Sequence, residues 1–105
     1  MTEHIVAFST LGSEEEAVPL AKTLVERGLV ACVNVLPGVR SFYSWEGRLA
    51  DDREVLLIMK TRSERWEALS AAIEELHPYD VPELISLPLH KGAASYLSWV
   101  DARTR

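Results

Sequence analysis

Leu29-Val30-Ala31-Cys32-Val33-Asn34-Val35-Leu36, preceded by Gly28 and followed by Pro37-Gly38, is the stretch on which the fold turns. Its length, its β-branched content and the Gly and Pro signals at its ends read as a buried strand. Its apolar residues do not alternate with polar ones. Val30, Cys32 and Leu36 fall on one side, and Ala31, Val33 and Val35 on the other. The strand predicted over Glu54 to Thr61 repeats the feature, with Leu56 and Ile58 backing onto Val55, Leu57 and Met59. A sheet covered on one face alternates apolar and polar positions, so these strands call for cover on both.

Working upstream, Ile5 to Ser9 reads as a short strand, and Ser13-Glu14-Glu15-Glu16 is a capping box at a helix start. Ala17, Leu20, Ala21 and Leu24 form one apolar stripe, and Gly28 supplies the helix stop. Pro19 lies deeper than the first turn, which predicts a kink or a helix that becomes regular only near Pro19. Downstream, Pro37-Gly38 predicts a chain reversal and Val39 to Trp45 a further strand, with Gly47 to Asp52 a polar connection. Ser63 caps a helix carrying Trp66, Leu69, Ala72, Ile73 and Leu76, which His77-Pro78 stops. Glu83 to Pro88 is the last strand, and Ala93 to Arg103 a short helix with Tyr96, Leu97 and Val100 facing inward.

Ile5 to Leu36 and Val55 to Pro88 therefore share one plan: strand, Thr, Ser cap, amphipathic helix, strand. Right-handed crossovers turn two such halves into an antiparallel sheet with two helices on one face. The expected class is α+β, a ferredoxin-like βαββαβ sandwich with an additional C-terminal helix, forming one domain over residues 1–105. That helix can hide part of the second sheet face; self-association hides it more completely, and both remain open at this stage.

Composition narrows the partners. A net charge of −5 offers no footprint for a phosphate backbone, so no nucleic acid is expected. A recognition-motif sheet for RNA needs exposed aromatic and basic residues on its central strands, and Val55 to Met59 is aliphatic. The single Cys32 permits no internal disulfide and points to a reducing compartment. Met1-Thr2-Glu3-His4 opens without an export signal and no run is long enough to span a membrane, so a cytoplasmic location is expected.

Several segments together resemble the CutA divalent-cation-tolerance family over nearly the whole chain. They are Leu29 to Asn34 with Pro37-Gly38, then Tyr43-Ser44-Trp45-Glu46-Gly47, Lys60-Thr61, His77-Pro78-Tyr79 with Val81-Pro82-Glu83, and Tyr96-Leu97-Ser98-Trp99. The resemblance implies a subunit assembled into a homotrimer, a response to divalent metal ions with copper or another divalent metal as ligand, no organic cofactor, and no enzymatic activity. The family's copper-linked positions, a first-strand cysteine and a paired His-His before the proline, are here Ser9 and Leu76-His77.

Soft divalent metals prefer imidazole and thiolate, which directs attention to His4, His77, His90 and Cys32, although none stands at a metal-motif spacing. His77 is the metal candidate, held extended by Pro78 beside Tyr79 and Asp80; capping the helix C-terminus is its other reading. Tyr43, Trp45, Glu54, Lys60, Tyr79, Glu83 and Trp99 mix aromatic surface with charge, the composition of a ligand cleft or of an intersubunit seam. Thr10-Leu11-Gly12-Ser13 holds one glycine, too little for the anion cradle of a hydrolase. The expected function is a homotrimeric protein of the divalent-metal response; the alternative is a trimeric small-molecule sensor without direct metal binding, and a hydrolase ranks below both.

Overall fold

The computed structural model describes residues 3–105; Met1 and Thr2, the start of the stretch read for an export signal, lie outside them. The elements are β1 (His4–Leu11), α1 (Glu14–Glu26), β2 (Cys32–Trp45), β3 (Arg48–Arg62), α2 (Trp66–Leu76), β4 (Ile85–Pro88) and α3 (Ala94–Arg103), with a 3-10 turn at Ser63–Arg65 before α2. The strands form one antiparallel sheet in the order β2-β3-β1-β4. This is the ferredoxin-like plan with α3 added, as the two repeated halves predict.

Register explains which face the first two helices cover. Ala7 pairs with Met59, Ser9 with Leu57 and Leu11 with Val55, and all six are buried. Leu20 and Leu24 of α1 and Leu69 and Ile73 of α2 pack on this face to complete the core. Leu29 and Val30 belong to the same core, because they precede β2 and are not yet held to its alternation; the sequence reading had set Val30 beside Cys32 and Leu36.

The Ser13 Oγ accepts from the Glu16 amide at 3.3 Å, the predicted N-cap. At the other end Leu29 N donates to Leu24 O and Gly28 N to Val25 O, with Gly28 at φ +69°, which is a Schellman closure. Pro19 does not delay the helix: α1 is helical from Glu14, and Pro19 is exposed on its solvent side, where the carbonyl it leaves without an amide can be hydrated.

Pro37-Gly38 does not reverse the chain. It forms a bulge inside the continuous strand β2, where Leu36 pairs with Leu56 but Val39 already pairs with Glu54. Gly38 takes the positive φ expected of it, +79°, but uses it within the strand. The reversal comes at Glu46-Gly47, both with positive φ (51° and 77°), a two-residue turn of the type that matches strand twist. The stretch Gly47 to Asp52, read as a polar connection, is thus mostly the first half of β3. β2 and β3 together project as a hairpin arm, braced on one side by two 2.9 Å hydrogen bonds from Arg40 to Asp51 and by Arg40 stacked 5.1 Å above Phe42.

The face opposite α1 and α2 is also apolar. Val6 and Phe8 stand beside Leu87 and Ile85 on one side, and Phe8 beside Ile58 on the other; Leu36 stands beside Leu56. α3 lies against one end of this face, where His4 meets Asp101 at 2.7 Å and Arg62 Nε donates to Thr104 Oγ1 at 2.7 Å. Val100 is buried there, Leu97 partly so, and Tyr96 is exposed. Ile85 and Leu87 remain 57% exposed, so α3 is not a complete lid.

Candidate functional site

β3 is longer than its neighbour. β1 pairs with it only from Val55 to Arg62, so Glu54 and Asp52 lie beyond the end of β1, and the loop 77–83 reaches both strands there, Tyr79 bonding to Glu54 and His77 to Thr10. A cavity of about 500 Å³ opens there. The arm contributes Tyr43, Trp45, Asp52 and Glu54; the loop contributes Tyr79, Asp80, Val81 and Glu83; Thr10 closes the end of β1.

Glu54 sits deepest, 7% exposed, and its Oε2 accepts from the Tyr79 hydroxyl at 2.9 Å. Tyr43 donates to Asp52 Oδ2 in the same way. Burial raises the Tyr79 hydroxyl well above the ordinary tyrosine range, and the hydrogen bond to Glu54 with the charges of Glu54 and Glu16 adds to the shift. The Tyr43 hydroxyl is raised too, first by its bond to Asp52. Both phenols are therefore held neutral, as donors to carboxylates. Gly12 lies beneath: a methyl group there would stand 3.3 Å from Glu16 Oε1 and 3.4 Å from the Tyr79 hydroxyl.

His77 holds the loop in place. Its backbone amide donates to Ile73 O at 2.9 Å, ending α2. Its Nδ1 accepts from the Tyr79 amide at 3.1 Å, which leaves Nε2 as the protonated nitrogen that donates to Thr10 O at 2.8 Å. The ring also packs 4.8 Å from that of Tyr79. His77 is buried, and it ties the loop to β1 through both ring nitrogens.

Five of the seven residues predicted for a cleft or seam come together here: Tyr43, Trp45, Glu54, Tyr79 and Glu83. The other two lie elsewhere. Lys60 bonds to Asn34 Oδ1, with its Nζ 3.9 Å from Cys32 Sγ; Trp99 packs on Tyr96 within α3, their rings 5.7 Å apart. Sequence reasoning missed Thr10, Asp52, Asp80 and Val81 as cleft residues. Asp52 was within reach, since it stands two residues before Glu54 and a strand places i and i+2 on one face. Among the described residues no three His, Cys, Asp or Glu side chains converge as metal ligands, and Ser9 is buried on the helix side of the sheet, its Oγ without a partner.

Comparison with known proteins gives consistent matches. The family model described as CutA1 divalent ion tolerance protein matches residues 5–103. The Divalent-cation tolerance protein CutA of Thermus thermophilus is 43% identical over 99 residues, covering 94% of this chain and 96% of that protein. The Protein CutA homolog of Xenopus laevis is 48% identical over 94 residues, and the match spans 90% of this chain but only 62% of that longer protein. The crystal structure of CutA1 from Oryza sativa superposes with a TM-score of 0.96 at 41% identity, covering 99% of this chain and 95% of that one.

Proposed function

Since this chain belongs to the CutA1 divalent ion tolerance family, we propose that it serves in the response to divalent metal ions as a cytoplasmic homotrimer that acts by binding and not by catalysis. The observation that supports assembly is the second apolar sheet face. Leu36, Ile85 and Leu87 stay substantially exposed in one copy, and neighbouring copies remove them from water. The lone Cys32, free of any disulfide, is in keeping with a reducing compartment.

A divalent metal is the ligand that the family description suggests, and copper is the first candidate because soft divalent ions favour imidazole. One subunit by itself does not fit such an ion: both His77 ring nitrogens are engaged, and no three donors converge among the described residues. A directly bound metal accordingly sits between copies, with His77 releasing the Tyr79 amide to free a lone pair on Nδ1. Titration calorimetry of metal-free protein with copper(II) and zinc(II), on the native chain and on His77→Ala, tests this. Saturable binding that His77→Ala weakens supports direct ligation; the absence of saturable binding removes the metal from the reading. Light scattering at micromolar concentration tests the trimer, and a monomer there ends it.

The cleft favours a second reading, that the trimer senses a small molecule without holding metal directly. A concave site of organic-ligand size, lined by aromatic rings and a few fixed polar groups, is the ordinary form of such a site.

A further inference from the structure

We infer that the cleft beside the hairpin arm receives a small organic cation, an alkyl amine or quaternary ammonium, held between the carboxylates of Asp52 and Glu54 and the rings of Tyr43, Trp45 and Tyr79. The inference rests on the second reading above, that this cleft is a ligand site.

Charge is the first ground. Four carboxylates line the cavity, those of Asp52, Glu54, Asp80 and Glu83, and among the described lining residues there is no Lys, Arg or His. Arg40, the basic residue that braces the arm, is on its other side and is bound to Asp51. Glu54 is almost wholly buried, and the Tyr79 hydroxyl bonded to it is neutral, so its negative charge is not balanced within the cleft. A buried anion whose hydrogen bond comes from a neutral group remains costly until a cation arrives. An anionic ligand is repelled here, and a neutral one leaves that cost in place.

Aromatic surface is the second ground. Both tyrosine hydroxyls are committed to carboxylates, so what these residues still offer an occupant is ring surface, which Trp45, half exposed, extends. Rings beside carboxylates suit a cation with a carbon body, since ring faces attract positive charge at up to about 6 Å from the centroid. Size is the third ground. The volume of about 500 Å³ lies in the organic-ligand range of roughly 300–1,000 Å³. A bare metal ion would leave most of it to water and lacks three converging donors among the described residues.

The test is titration calorimetry of the full chain in low-salt, amine-free buffer, with putrescine and choline as cations and butanediol and succinate as neutral and anionic controls. Saturable binding of a cation is expected, with none for the controls and a loss of at least about tenfold in Glu54→Gln and in Trp45→Ala. If Glu54→Gln does not fold by circular dichroism, the exposed Asp52→Asn carries the same test. Silence of both cations, or cation binding unchanged in these variants, overturns the inference. Binding of butanediol or succinate that Trp45→Ala abolishes overturns the cation while leaving the cleft a ligand site. If all four probes are silent and Trp45→Ala alters only the oligomeric state, the inference and the reading beneath it fail together.

Discussion

Replacing Ile85 and Leu87 with Ala isolates the contribution of the uncovered sheet face. Each side chain is 57% exposed in one copy, so a neighbour that seals it removes a little over half its surface from water. Full burial of such a side chain is worth about 1.5–3 kcal/mol, which makes the sealed part roughly 0.9–1.7 kcal/mol each and about 1.7–3.4 kcal/mol for the pair. Association should weaken by roughly 20- to 300-fold for each copy that carries the double substitution. The single subunit loses only the share already buried within it, so its own stability changes less. Sedimentation equilibrium from nanomolar to micromolar concentration reads the association, and thermal melts provide a second readout because the Tm of an assembled protein rises with concentration. The native chain should be assembled at micromolar concentration, and the double variant should dissociate at concentrations higher by that factor. A native chain that is monomeric throughout, or a variant that associates as tightly as the native one, refutes the reasoning.

His77→Ala removes two ring hydrogen bonds and the packing against Tyr79, and should cost about 2–4 kcal/mol in urea unfolding, with faster exchange of the Tyr79 amide; a loss below about 0.5 kcal/mol rejects the tethering role. Tyr79 has its pKa raised in the folded state, so its contribution to stability is fully present below the unfolded tyrosine value of about 10 and is lost as pH rises beyond it toward the folded one. Tyr79→Phe should therefore flatten the alkaline fall in stability, and an identical pH profile contradicts the burial of that hydroxyl. Gly47→Ala puts a side chain at φ +77° in otherwise open space, and should cost about 1–2 kcal/mol while leaving cleft binding intact.

The fold was legible because its two halves repeat strand and helix signals that are local in sequence, although Ser63, expected to cap α2, instead opens the 3-10 turn before it and Arg65 holds the N-cap position. The Ser13 cap, the Gly28 stop and the core stripe of α1 stand where the residues place them. Pro37-Gly38 misled for a physical reason: a positive φ serves a bulge as well as a turn, and only pairing with β3 distinguishes them. Glu46-Gly47 was the better turn signal. In the cleft, Tyr43, Trp45 and Glu54 were legible by residue chemistry alone, and Lys60 and Trp99 have the same chemistry at different addresses. The second role of His77, reaching across to Thr10, depends on a contact between residues 67 apart in sequence. No spacing rule exposes such a contact.

The extra residue at Pro37-Gly38 sets the phase of everything beyond it. At the base of β2 the even-numbered residues share a surface with Leu56 and Ile58; past the bulge the odd-numbered ones, Tyr43 and Trp45 among them, share it with Asp52 and Glu54. Deleting Gly38 would restore a simple two-residue rhythm and rotate the arm by half a period. Arg40 and Phe42 would then meet the acidic wall, and both rings would point to the opposite side. A single backbone irregularity, one residue before the partner of Glu54, thus decides whether the molecule has an aromatic-walled recess at all.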